Sequence, residues 1–195
     1  MAQGCDALFP VFLKLGRRTV LLVGGGTVAE AKLRGLVEAG ARVVVVAPEV
    51  RDAVASRALR VIRRPFRSED LEGAWFVVAA APPDVNREVR AAAEARGVFV
   101  NAVDDPVNAS AFLGGVVRRG GVTIAVSTEG HAPALAGLLR EALEAVIPDE
   151  IADWVDAGAA LRREQKAAGT PIGKRRPQLL QVLNRLYAGR REVSP

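Results

Sequence analysis

Apolar and polar positions along this chain fall into blocks of two different periods. Val20-Leu21-Leu22-Val23 is an unbroken aliphatic run, the pattern of a strand buried on both faces of a sheet. Gly24-Gly25-Gly26 interrupts it. Over residues 28–39 the spacing turns helical, with Val28, Leu33, Leu36 and Val37 apolar and Glu30, Lys32, Arg34 and Glu38 between them. Gly40 stands where a helix C-terminus takes a left-handed residue, and residues 42–47 read as a second strand that Pro48 ends. The rhythm continues with a third strand at 59–62, a short turn at 68–71 and a fourth strand at 75–80. A helix then runs to Arg96 with Asp84 as its cap, and a fifth strand occupies 98–101. Strands alternating with helices predict an α/β fold built on a doubly wound parallel sheet over residues 1–113.

Beyond that point the rhythm changes. Residues 111–117 and 122–127 are strand-like, and Arg118-Arg119-Gly120-Gly121 between them reads as a hairpin turn. From Pro133 onward Leu135, Leu138, Leu139, Leu143 and Val146 make a helical stripe that Pro148 stops. A second helix is expected at 150–167, a flexible break at 169–173 and a last helix at 177–187. The expected organisation is a dinucleotide domain (1–113), a small segment of strands plus a helix (114–147) and a helical C-terminal domain (148–195). A lone two-stranded hairpin is marginal in water. It would gain stability by pairing across a two-fold axis, so 114–147 is expected to be a dimerisation segment and the protein a homodimer.

Composition narrows the classes. Half of the 195 residues are hydrophobic, but no stretch approaches the ~18 uninterrupted apolar residues of a membrane span. Asp6 and Pro10 break up the short apolar run at the start, which does not read as a signal peptide. Cys5 is the one cysteine, so no intrachain disulfide and no cysteine-based metal site can form. These features lead us to expect a cytoplasmic protein without a resident metal or a membrane partner. The net charge of +5 is uneven: residues 1–150 hold 18 basic and 18 acidic side chains, residues 151–195 hold 9 and 4. A basic segment suits an acidic small molecule or nucleic acid, and a solvated helical face accounts for it equally. The aromatic side chains that a stacking platform for bases needs are not interleaved with it, which argues against nucleic acid.

Three segments could carry chemistry. In the Rossmann-like reading, Gly24 makes the tight turn after the first strand and Gly26 lets the backbone approach a pyrophosphate. Ala29 is small enough for close helix–strand packing. The free N–H groups and the positive dipole end of the next helix favour the anion. A plain strand-to-helix connection uses the same glycines, but the βαβ unit of ~30 residues around them favours the dinucleotide. The second segment is Asn101-Ala102-Val103-Asp104-Asp105-Pro106, at the carboxyl end of the fifth strand, where open α/β sheets bind ligands. Its carboxylates serve either as turn formers or as a proton acceptor. The third is the polar loop Ser127-Thr128-Glu129-Gly130-His131, which reads as ordinary helix capping or as a substrate loop. His131 is the only histidine, the side chain most often used for acid–base work, which makes it a catalytic candidate. Past the second strand, Glu49 suits the ribose hydroxyls of NAD, whereas Arg51 suits the 2′-phosphate of NADP.

An ordered set of motifs resembles the siroheme synthase family of precorrin-2 dehydrogenases, some of which are also sirohydrochlorin ferrochelatases. The set comprises Leu8-Phe9-Pro10-Val11-Phe12-Leu13, the 23–29 turn with Lys32, Ala39-Gly40-Ala41-Arg42-Val43, Val46-Ala47-Pro48-Glu49, the 101–106 segment, Val126-Ser127-Thr128, Pro133 and Leu138-Leu139-Arg140. It covers about residues 8–165. The resemblance implies NAD-dependent oxidation of precorrin-2 to sirohydrochlorin on the way to siroheme or cobalamin, with ferrous iron insertion as a second activity left open. It implies that Gly24, Gly25, Gly26, Thr27, Val28, Ala47, Pro48, Glu49 and Ala80 line the NAD site and that Asp104 acts in the chemistry. Ser127 and Thr128 would meet the tetrapyrrole. Arg162 and Arg175, with Arg163, Lys174 and Arg176 beside them, would meet its carboxylates. The chain departs from the family at Glu129 and His131-Ala132, where small or polar residues are usual, and at Ala79-Ala80-Ala81, which lacks a hydroxyl. A non-catalytic NAD-binding redox sensor is the alternative of another class; no winged-helix or helix-turn-helix unit supports it.

Overall fold

The five aliphatic runs become five parallel strands: β1 (Thr19–Val23), β2 (Arg42–Val46), β3 (Arg60–Ile62), β4 (Phe76–Ala79) and β5 (Phe99–Ala102). They pair in the order β3-β2-β1-β4-β5. The computed structural model describes residues 7–191, with side chains as far as 186, so Cys5 and Asp6 lie outside the described residues. The sheet grows from β1 toward β2 and β3, then reverses to β4 and β5. Such a switch point opens a crevice at the carboxyl ends of β1 and β4, where ligands bind.

Side chains alternate across each strand, and each face has its own helix. Val20 and Leu22 of β1 pack with Ala29, Leu33 and Leu36 of α1 (Thr27–Glu38). Leu21 and Val23 pack on the other face with Val89 and Ala93 of α3 (Pro83–Glu94). The short α2 (Asp52–Ala55) adds Val54 to the first face. Each fully buried Val or Leu here contributes roughly 1.5–3 kcal/mol. Both faces of β1 are sealed, so its carboxyl end is held rigidly.

The chain divides into two compact units: one runs to Leu113 and includes Ser127–Ala132, the other comprises Gly114–Val126 and Pro133 onward. The second unit holds the antiparallel pair β6 (Gly115–Arg119) and β7 (Val122–Val126), α4 (Pro133–Val146), α5 (Ile151–Ala167) and α6 (Ile172–Arg191). Gly120 and Gly121 both have positive φ, as a two-residue hairpin turn requires, so Arg118 and Arg119 belong to β6. Arg119 donates to the Ile147 carbonyl at 2.6 Å and pairs with Asp149 at 3.3 Å, fastening the hairpin to the end of α4.

Three details differ from the pattern-based expectation. Residues 111–114 are not strand, since β6 starts at Gly115. Asp84 does not cap α3: Pro82 occupies the N-cap, and Asp84 lies within the first turn. The last helix starts at Ile172, not 177, and takes Pro177 inside. The ring arrives after about one turn, so it costs one hydrogen bond. In α4, Leu135, Leu138, Leu139 and Val146 are exposed, and Ala136 is the residue of this helix that is buried.

Candidate functional site

The glycine turn is built by close approach on two sides and left open on the third. Gly24 has φ +124°, and a Cβ there would strike the Ala80 carbonyl at the end of β4. A Cβ on Gly25 would strike the Glu49 carbonyl beyond β2. The Arg51 N–H also donates to the Gly25 carbonyl at 3.0 Å, joining the post-β2 segment to the turn. Gly26 has nothing within 4 Å of the place its Cβ would occupy, and it is exposed. It is the N-cap of α1 and has no side-chain cap. The first N–H groups of α1 therefore face open space beside a position with no side chain, which fits a pyrophosphate. Thr27 and Val28 are exposed in the first turn of α1, whereas Ala29 is fully buried against the sheet.

Ala47 is buried, and Pro48 and Glu49 are exposed beyond β2. The two arginines near this point are engaged: Arg51 Nε meets Glu30 at 3.2 Å, and Arg63 donates to the Val50 carbonyl at 3.2 Å. The basic alternative to a ribose-binding carboxylate is thus drawn aside toward α1.

Asp104 follows β5 on the same edge of the sheet. It is exposed and has φ +56°, a left-handed conformation that few non-glycine residues adopt. Asp105 serves a different purpose. Its Oδ2 accepts from Asn108 at 2.8 Å and from Asn86 at 3.3 Å, so it reads as a turn former. Asn86, buried on α3, also accepts the Ala81 N–H at 3.3 Å. Sequence reasoning missed Asn86, because a lone asparagine within a helical pattern carries no local signal. Asn101 of β5 donates to the Ala111 carbonyl at 3.0 Å, and its Oδ1 is buried with no hydrogen-bond partner among the described residues.

The Ser127–Ala132 loop packs on this turn. A Cβ on Gly130 would lie 3.1 Å from Pro106 Cβ and 3.2 Å from Phe112. Glu129, at φ +55°, is the second non-glycine left-handed residue here, and Arg17 is the third among the described residues. The Ser127 hydroxyl accepts from the Glu129 N–H at 3.1 Å, and Thr128 Oγ1 accepts from the Ala132 N–H at 3.3 Å. Both hydroxyls thereby shape the loop. His131 is exposed, with Nδ1 3.3 Å from the Thr128 carbonyl. The glycine turn, the β4 end, Asp104 and this loop all belong to the first unit. The basic candidates belong to the second. Arg162 is exposed on α5, while Arg175 is partly buried and gives its Nε to the Thr170 carbonyl at 2.9 Å.

Comparison with known proteins agrees with this geometry. Residues 11–115 match a family described as "Putative NAD(P)-binding", and residues 119–145 match "Sirohaem biosynthesis protein central". Siroheme synthase 2 of Cronobacter sakazakii is 40% identical over 172 residues, which is 86% of this chain and 38% of that protein. Siroheme synthase 3 of Aeromonas hydrophila is 39% identical, with coverage of 86% and 37%, and siroheme synthase of Salmonella typhi is 39% identical, with coverage of 86% and 38%. The chain thus spans less than two fifths of the length of these relatives. A solved structure described as "SirC, precorrin-2 dehydrogenase" shares the fold at TM-score 0.66 and 24% identity, covering 90% of this chain and 89% of that one.

Proposed function

The chain belongs to the NAD(P)-binding family and is a homologue of siroheme synthases, and from that premise we propose that it oxidises precorrin-2 to sirohydrochlorin with NAD. NAD, when bound, supplies the acceptor for the hydride that leaves the macrocycle. The N–H groups at the start of α1 hold its pyrophosphate, Gly26 gives the backbone access, and Glu49 meets the ribose hydroxyls. Loss of a hydride also requires loss of a proton. Asp104 takes that proton as general base, since it is exposed and follows β5 at the carboxyl edge of the sheet that carries the glycine turn. Ser127 and Thr128 orient the substrate from the loop packed on the Asp104 turn.

The observation that carries this reading is the conformation of Asp104. A left-handed, exposed aspartate at the end of β5 stores backbone strain where a ligand would sit, and such strain clusters at functional sites. The substrate is a polyanion, and Arg162 on α5 is suited to its carboxylates. The structure supports Arg175 less directly, as one of its nitrogens is committed to Thr170. Within this reading residues 1–113 bind the dinucleotide, 114–147 dimerise and 148–195 contribute basic charge.

Mixing the protein with precorrin-2 and NAD and following NADH tests the proposal. Asp104→Asn should lower kcat by about 100-fold or more while NAD still binds, and full turnover by the variant would remove Asp104 from its role. Ferrous iron insertion into sirohydrochlorin is a separate activity that the homology to siroheme synthases favours. A metallation rate above the spontaneous one would establish it, and a rate equal to the spontaneous one would leave a dehydrogenase alone.

A further inference from the structure

A non-glycine residue in the left-handed region costs about 1–3 kcal/mol and persists only where its surroundings over-determine it. Beside Asp104 those surroundings are a polar clasp. Asn86 is 2% exposed and lies on α3, close to the end of β4. Its Oδ1 accepts the Ala81 N–H, and its Nδ2 donates to Asp105 Oδ2, each at 3.3 Å. One partner is a donor and the other an acceptor, so only one orientation of the amide satisfies both. Asn108 Nδ2 donates to the same Asp105 oxygen at 2.8 Å and closes the turn from its far side. Ala81 follows Ala80, whose carbonyl is the atom that Gly24 packs against. One buried amide therefore ties the wall of the dinucleotide crevice to the residue next to Asp104.

Resting on the dehydrogenase reading above, we infer that Asn86 is a positioning residue that acts through Asp105 to hold the Asp104 carboxylate in register with the bound dinucleotide. Asn86 does not touch the reacting atoms; it sets the distance between two things that do. Asp105 contributes an acceptor oxygen, not a proton-transfer group.

The inference is tested with Asn86→Asp, Asp105→Asn and the double variant that carries both. Asn86→Asp keeps size and the acceptor for Ala81 but sets two carboxylates against each other. It should lower kcat about 10- to 100-fold, as expected for a misplaced reacting group, while KM for NAD changes less than about twofold. Asp105→Asn retains an acceptor oxygen and should lose only several-fold. In the double variant the new amide at position 105 donates to the new carboxylate at position 86, and Asn108, which donates to the same atom of Asp105, turns its amide to present oxygen instead, so kcat should recover at least about tenfold over Asn86→Asp. A merely structural polar contact would move the thermal midpoint without this reciprocal pattern in kcat. Wild-type kcat in folded Asn86→Asp, or a double variant no better than that single one, would overturn the inference. So would a loss in Asp105→Asn as deep as in Asp104→Asn. If the wild-type protein leaves precorrin-2 unoxidised, the dehydrogenase reading fails by itself, and crystal structures then judge the clasp. Residue 104 near φ +56° in wild type and double variant, but displaced in Asn86→Asp, supports it; an undisturbed residue 104 in Asn86→Asp overturns it.

Discussion

Gly24, Gly25 and Gly26 are the same residue three times over, with three different reasons to be glycine. Gly24 carries both a positive φ and a carbonyl in the way of any Cβ, and Gly25 lacks space because the post-β2 segment presses on it. Gly26 has space, which suits the proposed phosphate position. Gly24→Ala and Gly25→Ala should therefore destabilise the fold by about 2–4 kcal/mol, read as a lower thermal midpoint. Gly26→Ala should leave the midpoint unchanged and weaken NAD in a binding titration. Equal midpoints for all three variants would contradict this division. Coenzyme choice can likewise be tested residue by residue. The Glu30–Arg51 pair is exposed and holds its partners weakly, so Glu30→Gln should free Arg51 and raise kcat/KM for NADP relative to NAD by a few-fold. An unchanged ratio would show that Arg51 plays no part in the discrimination.

Among the elements, those sealed on both faces were the most legible. β1 and β4 read directly as strands because parallel burial leaves no polar alternation, α1 reads from its periodic apolar face, and α3 reads from the break before it. The elements that escaped depend on distant partners. The start of α6 lies behind a proline that pattern reasoning takes as a boundary, and Asn86 acts on a residue 19 positions away. The apolar stripe of α4 leaves Leu135, Leu138, Leu139 and Val146 exposed in the single chain. The connection from β3 to β4 shows how a charged pair can fix an element. Arg64 grips Asp70 through both nitrogens, at 2.6 and 2.8 Å, and the Arg67 N–H adds a third bond at 2.9 Å. Burial pushes the Asp70 carboxyl up, but the Arg64 hydrogen bonds, the Arg67 N–H and the adjacent positive charges outweigh it and hold the group below its ordinary value. Since the folded value lies below the unfolded one, this stabilisation is complete above the usual carboxylate range and is lost as pH falls through the folded value. Asp70→Asn should lower the thermal midpoint near neutral pH and flatten its decline in acid. A decline as steep as that of the wild type would place the acid sensitivity elsewhere.

At the scale of the molecule, the exposed leucines of α4 and the two-stranded β6–β7 sheet support a homodimer through residues 114–147. Light scattering at micromolar concentration should give a dimer, and Leu138→Glu should shift it toward monomer; a monomeric wild type would end that proposal. The uneven charge supports the acidic substrate in a similar way, since 9 of the 27 basic residues fall in the last 45 positions. The glycine turn proposed to hold the dinucleotide was legible because it is one short, continuous segment. The residues proposed for the substrate were less so, because the loop, the left-handed aspartate and the basic helices lie far apart in sequence. The central claim, that this sheet edge oxidises a tetrapyrrole with NAD, is tested most directly by the stoichiometry of one reaction. Precorrin-2 and NAD mixed with the protein should yield one NADH for each sirohydrochlorin formed, and Asp104→Asn should form both about 100-fold or more slowly while still binding NAD. Failure of the wild-type protein to form NADH with precorrin-2, or undiminished turnover by Asp104→Asn, would contradict the account.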